Sequence, residues 1–368
     1  MRAYILSILF LLIACSETKP VAEKDPDPIF NGESIDLKYT EIVGVLDTEV
    51  KPGKNLIWCS TLISAWKEIE KKITKESPLF LEENSLVTSL NAAVDPSTYV
   101  PDKASYSNAG VIKDGILDEI KQDLNKKFPG KSMPNFSGLS PTDIISYAYL
   151  KAGIKFSEPY HVNDEPFIFT DSKGKETKVN SFGIFGRDTY NSSMAAQIKV
   201  LYGKVKNGVK QFIVDLDRDS SDYQILIASI EPQTSLESAV KFINERLEVS
   251  GQQKYFTRGD TLIVPQTVWK ITHHYEELLK QNFKNKNIEG YYISRAQQDI
   301  EFKLHSKGAE VESEVMMDAK KSIDDDTEYF DGKYEFDKPF YILMRKRGEE
   351  QHFFVMYVDN AELLHPWK

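Results

Sequence analysis

Three places in this chain carry side chains that could do chemistry. Cys59 stands in Trp58-Cys59-Ser60, where an amphipathic helix is expected to begin, and a helix N-terminus lowers a thiol pKa. With one of the six histidines as base, that cysteine would suit a hydrolase, although a solitary cysteine at a helix start is more commonly a packing residue. His273 and Glu277 lie one turn apart on a short helix expected over 273–281, a spacing that could hold zinc. No third ligand follows nearby, and such a pair usually sits on a surface. Cys15 closes Leu12-Ile13-Ala14-Cys15, behind a Met1-Arg2 start and an apolar run, Ala3 to Ile13, that is too short to span a bilayer. This has the form of a bacterial lipobox, in which the thiol receives a diacylglycerol and the chain is cut before the cysteine. The alternative is an ordinary signal peptide.

The elements that would position such groups have to follow from the rest of the chain. Ser16 to Asn31 is polar and rich in Pro, Asp and Lys, with Asp25-Pro26-Asp27-Pro28, and reads as a flexible tether running to about residue 33. With Cys15 committed to lipid, Cys59 has no intramolecular partner, so no disulfide framework holds the fold. The body, 34–368, is 41% hydrophobic by whole-chain composition and long enough for one large domain. A net charge of -10 with interspersed Lys and Arg leaves no basic face for phosphate, so nucleic acid is excluded as a partner. No apolar run beyond the N-terminus approaches the length of a transmembrane helix, and no Gly-rich phosphate loop is present.

Leu62, Ile63, Trp66, Ile69 and Ile73 form one stripe, which predicts a helix over Cys59 to Ile73. Ile116, Ile120, Leu124 and Phe128 predict another, stopped at Pro129-Gly130. Thr234-Ser-Leu-Glu237 is a capping-box pattern ahead of Leu236, Val240, Ile243 and Leu247. Strands are expected at 144–150, 211–216, 223–230, 261–271, 300–304, 339–344 and 352–358, with a hairpin about Asp171-Ser-Lys-Gly174. Strands outnumber helices after residue 143 and do not alternate with them. The fold class is therefore α+β with a large antiparallel or mixed sheet.

From about residue 140 to 360 a series of blocks, in order, resembles the serpin family. Phe336-Asp337-Lys338-Pro339-Phe340-Tyr-Ile-Leu-Met, a charged turn, and Phe353-Phe354-Val355-Met356 look like F-x-x-P-F-x-F-x-I and the closing L-F-M-G strand. Ser294-Arg-Ala296, with Gly308-Ala309-Glu310 downstream, is similar to the H-K-A strand and the G-T-E start of the reactive loop. Leu262-Ile-Val264-Pro265 with Tyr275-Glu-Glu-Leu278, and Ile144–Lys151 with Pro159-Tyr160, resemble L-x-x-P-K with Y-x-L and N-A-x-Y-F-K with W-x-x-P-F. Asn55 to Ser64 stands where N-V-F-x-S-P-x-S-I-S would.

The resemblance implies a non-enzymatic protein without cofactors, acting as a monomer on a serine protease. Its reactive loop, about 308–335, would be offered as bait and, once cut, would insert as an extra strand into the central sheet, dragging the acylated protease with it. The hinge would be Gly308, Ala309, Glu310, Val311, Glu312, Ser313, Glu314 and Val315, with the small or apolar members on the inward face. Lys320, Lys321 and Ser322 would hold the bait bond, which suits a trypsin-like protease. Glu312 and Glu314 stand where inhibitory members carry alanines. That opens the alternative of a non-inhibitory, protease-cut or binding protein. The lipobox implies export and tethering of the chain to a bacterial envelope or surface through Cys15, or secretion if the segment is a plain signal peptide.

Overall fold

A computed structural model describes residues 26–130, 136–206, 208–247, 254–309 and 332–368. At its centre β13 (Tyr223–Ser229), β20 (Phe340–Lys346) and β21 (His352–Val358) are antiparallel neighbours. β21 is buried at every position, as a near-continuous apolar run requires when both faces of a sheet are covered. The sheet widens to eight strands, in the order β14 (Lys254–Tyr255), β11 (Lys199–Lys206), β12 (Val209–Asp215), β13, β20, β21, β3 (Asn55–Cys59) and β2 (Thr40–Val43). Period-two alternation divides its side chains between two cores. Ile225, Ile227, Ile342 and Met356 point to one, and Leu226, Leu343, Val355 and Tyr357 point to the other.

The second core is closed by helices. α1 (Thr61–Glu68) contributes Ile63 and Trp66, α2 (Ser85–Ala92) Leu86, Val87 and Leu90, and α5 (Leu236–Leu247) Leu236, Ala239 and Ile243. The short α4 (Ser192–Ala196) places Met194 and Ala195 on the first core. The first core is closed by a four-stranded sheet, β19 (Lys333–Glu335), β15 (Thr261–Pro265), β10 (Ser181–Phe185) and β7 (His161–Val162), and by the hairpin β8 (Phe167–Thr170) and β9 (Glu176–Val179). The third layer is a sheet in two parts. One part is β4 (Ser105–Val111) against β5 (Ile144–Leu150). The other is β1 (Phe30–Glu33), β16 (Thr267–His274) and β17 (Gln297–Leu304). α3 (Ile116–Lys127) lies over the outer face of β4 and β5, where Ile116, Ile120 and Leu124 meet Tyr106, Tyr147 and Tyr149.

The α+β class and its large sheet are as the patterning required. Several local expectations are corrected. The helix after Cys59 begins at Thr61, and from Ile69 to Thr74 it runs as a π-helical turn. Residues 273–281 do not form a helix. His273 and His274 are the last residues of β16, held by pairing with Gln298 and Gln297, and only Glu276–Leu278 makes a 3-10 turn. The strand expected over 261–271 is two strands in different sheets. Pro265 ends the first, since it has no N–H to continue a ladder, and the Gln266 N–H goes instead to the Asn180 carbonyl. The capping box of α5 sits one residue late, with Ser235 Oγ accepting from the Ser238 N–H and Ser238 Oγ from the Ser235 N–H. Phe30–Glu33, inside the expected tether, is a strand paired in parallel with β16, so folded structure starts upstream of residue 34.

Candidate functional site: a split sheet and the turn at its head

β5 and β17 border one cavity, yet no described backbone bond joins them. Among the described residues β5 bonds to β4 alone and β17 to β16 alone, so the two parts of the third sheet do not join along these strands. Ionisation of Tyr147 is opposed by burial, with the charge of Asp299 adding to it, and that of Tyr149 by burial and the charge of Glu301. The first residues of both strands line one cavity, and the chain just after β17 sits on β6, just after β5, so the lips run in parallel. A strand laid between them would be antiparallel to both.

Each lip has an inner and an outer face, by strand alternation. On β17 the inner residues Gln298, Ile300, Phe302 and Leu304 are buried while Gln297, Asp299 and Glu301 are exposed. Gln298 is fixed by its Oε1, which accepts from the Tyr275 hydroxyl at 2.6 Å, and its Nε2, which donates to Thr61 Oγ1 at 2.5 Å. On the outer face Glu301 pairs with Lys270 at 2.8 Å, and Asp299 accepts from the Thr272 hydroxyl at 2.7 Å. On β5 Ser146 points inward and donates to the Ala65 carbonyl at 2.6 Å. Tyr149 points outward and packs edge-on against Phe128 at 4.8 Å. Gly110 of β4 lets α3 approach this closely, since a Cβ there would stand 3.0 Å from Ile116.

At the head of the split the chain turns back. His305 and Gly308 exchange backbone hydrogen bonds of 3.0 and 3.1 Å around Ser306-Lys307. The next two residues, β18 (Gly308–Ala309), pair antiparallel with β6 (Ile154–Lys155), which lies just beyond β5. The turn is held from behind by the Phe156 N–H to the Lys307 carbonyl (3.0 Å) and the Tyr160 N–H to the Ser306 carbonyl (2.8 Å). Only glycine fits at 308: a Cβ there would lie 2.3 Å from the Ile154 carbonyl oxygen. At the foot, a cavity of about 560 Å³ opens between the first residues of β5, residues 294–297 and the flank of α1.

Of the residues expected at the site, the structure places Gly308 and Ala309 at the head of the split. Glu310, Val311, Glu312, Ser313, Glu314 and Val315, together with Lys320, Lys321, Ser322 and Cys15, lie outside the described residues. Cys59 does not open a helix. It is the last residue of β3 and buried, and burial pushes its thiol pKa up, the opposite of what a nucleophile needs. His273 and Glu277 do not share a helix face. His273 Nδ1 is 2.7 Å from the Ser34 hydroxyl, burial lowers its pKa to about 4, and among the described residues no three metal-type ligands gather. Sequence reasoning missed Tyr147, Tyr149, Asp299 and Glu301 as the lips of one slot, because nothing local encodes that two strands lie side by side without bonding.

No known family profile matches the chain, and no curated protein does. Among solved structures the chain is similar to human thyroxine-binding globulin complexed with thyroxine, at 13% identity over 83% of this chain and 92% of that one, with a TM-score of 0.49. It is also similar to native protease nexin-1 with heparin, at 12% identity over 83% and 92%, with a TM-score of 0.45.

Proposed function

We propose that this chain is a serpin-type inhibitor of a trypsin-like serine protease, exported, held at a membrane surface through Cys15, and working as a monomer without cofactor. The observation that carries the reading is the seating of Gly308 and Ala309 on β6 at the head of an open split. β18 itself, folded back on β17 and antiparallel to β6, points in the direction that an inserted strand would take. Continuing the register of the His305–Gly308 turn would pair Val311 with Phe302, Ser313 with Ile300 and Val315 with Gln298. Those partners are buried, so the small and apolar side chains of the loop would face the core. Backbone pairing with the facing edges of β5 and β17 is the driving force of strand addition. Incubation with trypsin tests this: an SDS-stable adduct is expected, and nicked protein without any adduct rejects inhibition.

A second reading, a serpin-like protein that is cut as substrate, is favoured by one feature of the same register. Insertion would set Glu312 opposite Glu301 and Glu314 opposite Asp299. Like charges directly across a strand pair are destabilising, and slow insertion lets the protease finish hydrolysis and leave.

A further inference from the structure

We infer that the cavity at the foot of the split binds a neutral, ring-bearing small molecule, and that such a molecule opposes insertion of the loop; the second half rests on the function proposed above. Its volume of about 560 Å³ is in the range of sites for small organic ligands. One wall is Trp66 with Ile69 and Ile73, and the facing walls include Phe136, Tyr291 and Tyr292. Tyr291 and Tyr292 are 40% and 55% exposed, large rings standing where a ligand would cover them. Ile69 and Ile73 belong to the π-helical turn, closed by the Lys75 N–H on the Glu70 carbonyl at 2.9 Å. Such turns are uncommon and are frequent at functional sites.

The polar groups of the wall decide the ligand's charge. Ser146 donates to the Ala65 carbonyl and Trp66 Nε1 to Asn91 Oδ1 at 2.8 Å. Asp143 accepts from the Ser140 N–H at 2.8 Å, and Asp299 from Thr272 and Gln297. Arg295 donates to the Ser137 carbonyl at 3.0 Å, and His274 stands 3.3 Å from Glu33. Each charged group already has a protein partner. A charged ligand would meet groups of both signs on this wall and would lose its own hydration, whereas a neutral ring gains apolar burial against the aromatic walls without that cost. Ile144 to Tyr147 and residues 294–297 also line the cavity, so its occupant lies between the two lips. A strand zipping down from Gly308 would have to expel it.

Benzophenone, a neutral two-ring molecule that labels C–H bonds on irradiation, is the probe. Irradiating the full chain with benzophenone and mapping adducts is expected to mark peptides within 62–73, 136–147 or 283–299. Labelling should fall at least tenfold in Ala65→Phe and in Ile73→Phe, provided melting shows that the variants fold. Adducts elsewhere on the wild type, or unchanged labelling in a folded variant, overturn the site, and the wild-type map decides the question if neither variant folds. With the loop cut, saturating benzophenone is expected to slow the ensuing rise in thermal stability at least fivefold, and an unchanged rate overturns the antagonism. If cutting produces no rise even without benzophenone, insertion fails and the antagonism falls with it, while the adduct map still decides whether the cavity is a site.

Discussion

Gly308 accepts from and donates to His305 across a two-residue turn while its other edge lies on Lys155, so one glycine fixes the register of whatever follows it in the split. That register assigns a partner on β17 to each residue of the loop, and the consequences can be measured.

Replacing Glu312 and Glu314 together by alanine removes both like-charge pairs that insertion would form with Glu301 and Asp299. Like charges directly opposite are destabilising, on a scale where favourable cross-strand pairs contribute about 0.2–1 kcal/mol. The double variant is expected to shift the ratio of protease adduct to nicked protein several-fold towards adduct. The gain should shrink in high salt, which screens exposed charges. A ratio that does not move would mean the register is wrong.

Gly308→Ala places a methyl group against the Ile154 carbonyl, where no side-chain rotation can relieve it. The intact protein is expected to lose about 1–3 kcal/mol, by the scale of overpacking, and to release β18 from β6. Urea unfolding measures the first, and hydrogen exchange at residues 154–160 measures the second.

Acid should act on two buried groups in opposite directions. Burial, helped by the charge of Asp215, raises the Asp217 carboxyl to about 6 from 3.8. Its native pKa exceeds its unfolded one, so it penalises the fold above pH 6, and the penalty vanishes as pH falls below about 4. Asp217→Asn should therefore be more stable than wild type at pH 7.5, by an amount on the order of 3 kcal/mol at most, and equal to it near pH 4. His352, buried and beside Arg345, is lowered from 6.5 to about 3, and neither ring nitrogen has a hydrogen-bond partner among the described residues. Its neutral form supports the fold above pH 6.5, and that support is lost as pH drops towards 3. Denaturant midpoints from pH 8 to 4 for wild type, Asp217→Asn and His352→Leu separate the two.

Cys15→Ala is expected to move the protein from the membrane fraction to the soluble one with its melting temperature unchanged. Detergent partitioning and N-terminal mass spectrometry read this directly. An unlipidated wild-type N-terminus would reduce Cys15 to part of an ordinary signal segment.

What could be read in the sequence was what local chemistry controls. Ile144–Leu150 and His352–Val358 were legible to the residue, because apolar runs of strand length ended by polar or charged turns leave little choice. The hairpin at Asp171 was legible because the Asp171 carboxylate caps its own turn, accepting from Lys173 and Lys175. The helix expected at His273 failed because tertiary pairing with β17 overrode its polar, helix-compatible composition. The parting of 261–271 at Gln266 depends on Asn180 in a remote strand, and the split between β5 and β17 depends on a pairing that is not made. Neither leaves a periodic signal. The Gly308–Ala309 hinge was found only by its likeness to a family motif. Its steric demand comes from Ile154, far away in sequence.

The central claim is that the loop beyond Ala309 enters the split between β5 and β17 once it is cut. The direct measurement is the melting temperature of the protein before and after a single cleavage between residues 310 and 331. Insertion adds backbone pairing along β5 and β17 and predicts a clear rise, accompanied by hydrogen-exchange protection of 144–150 and 297–304. A melting temperature that is unchanged or lower, with those strands no better protected, would contradict it.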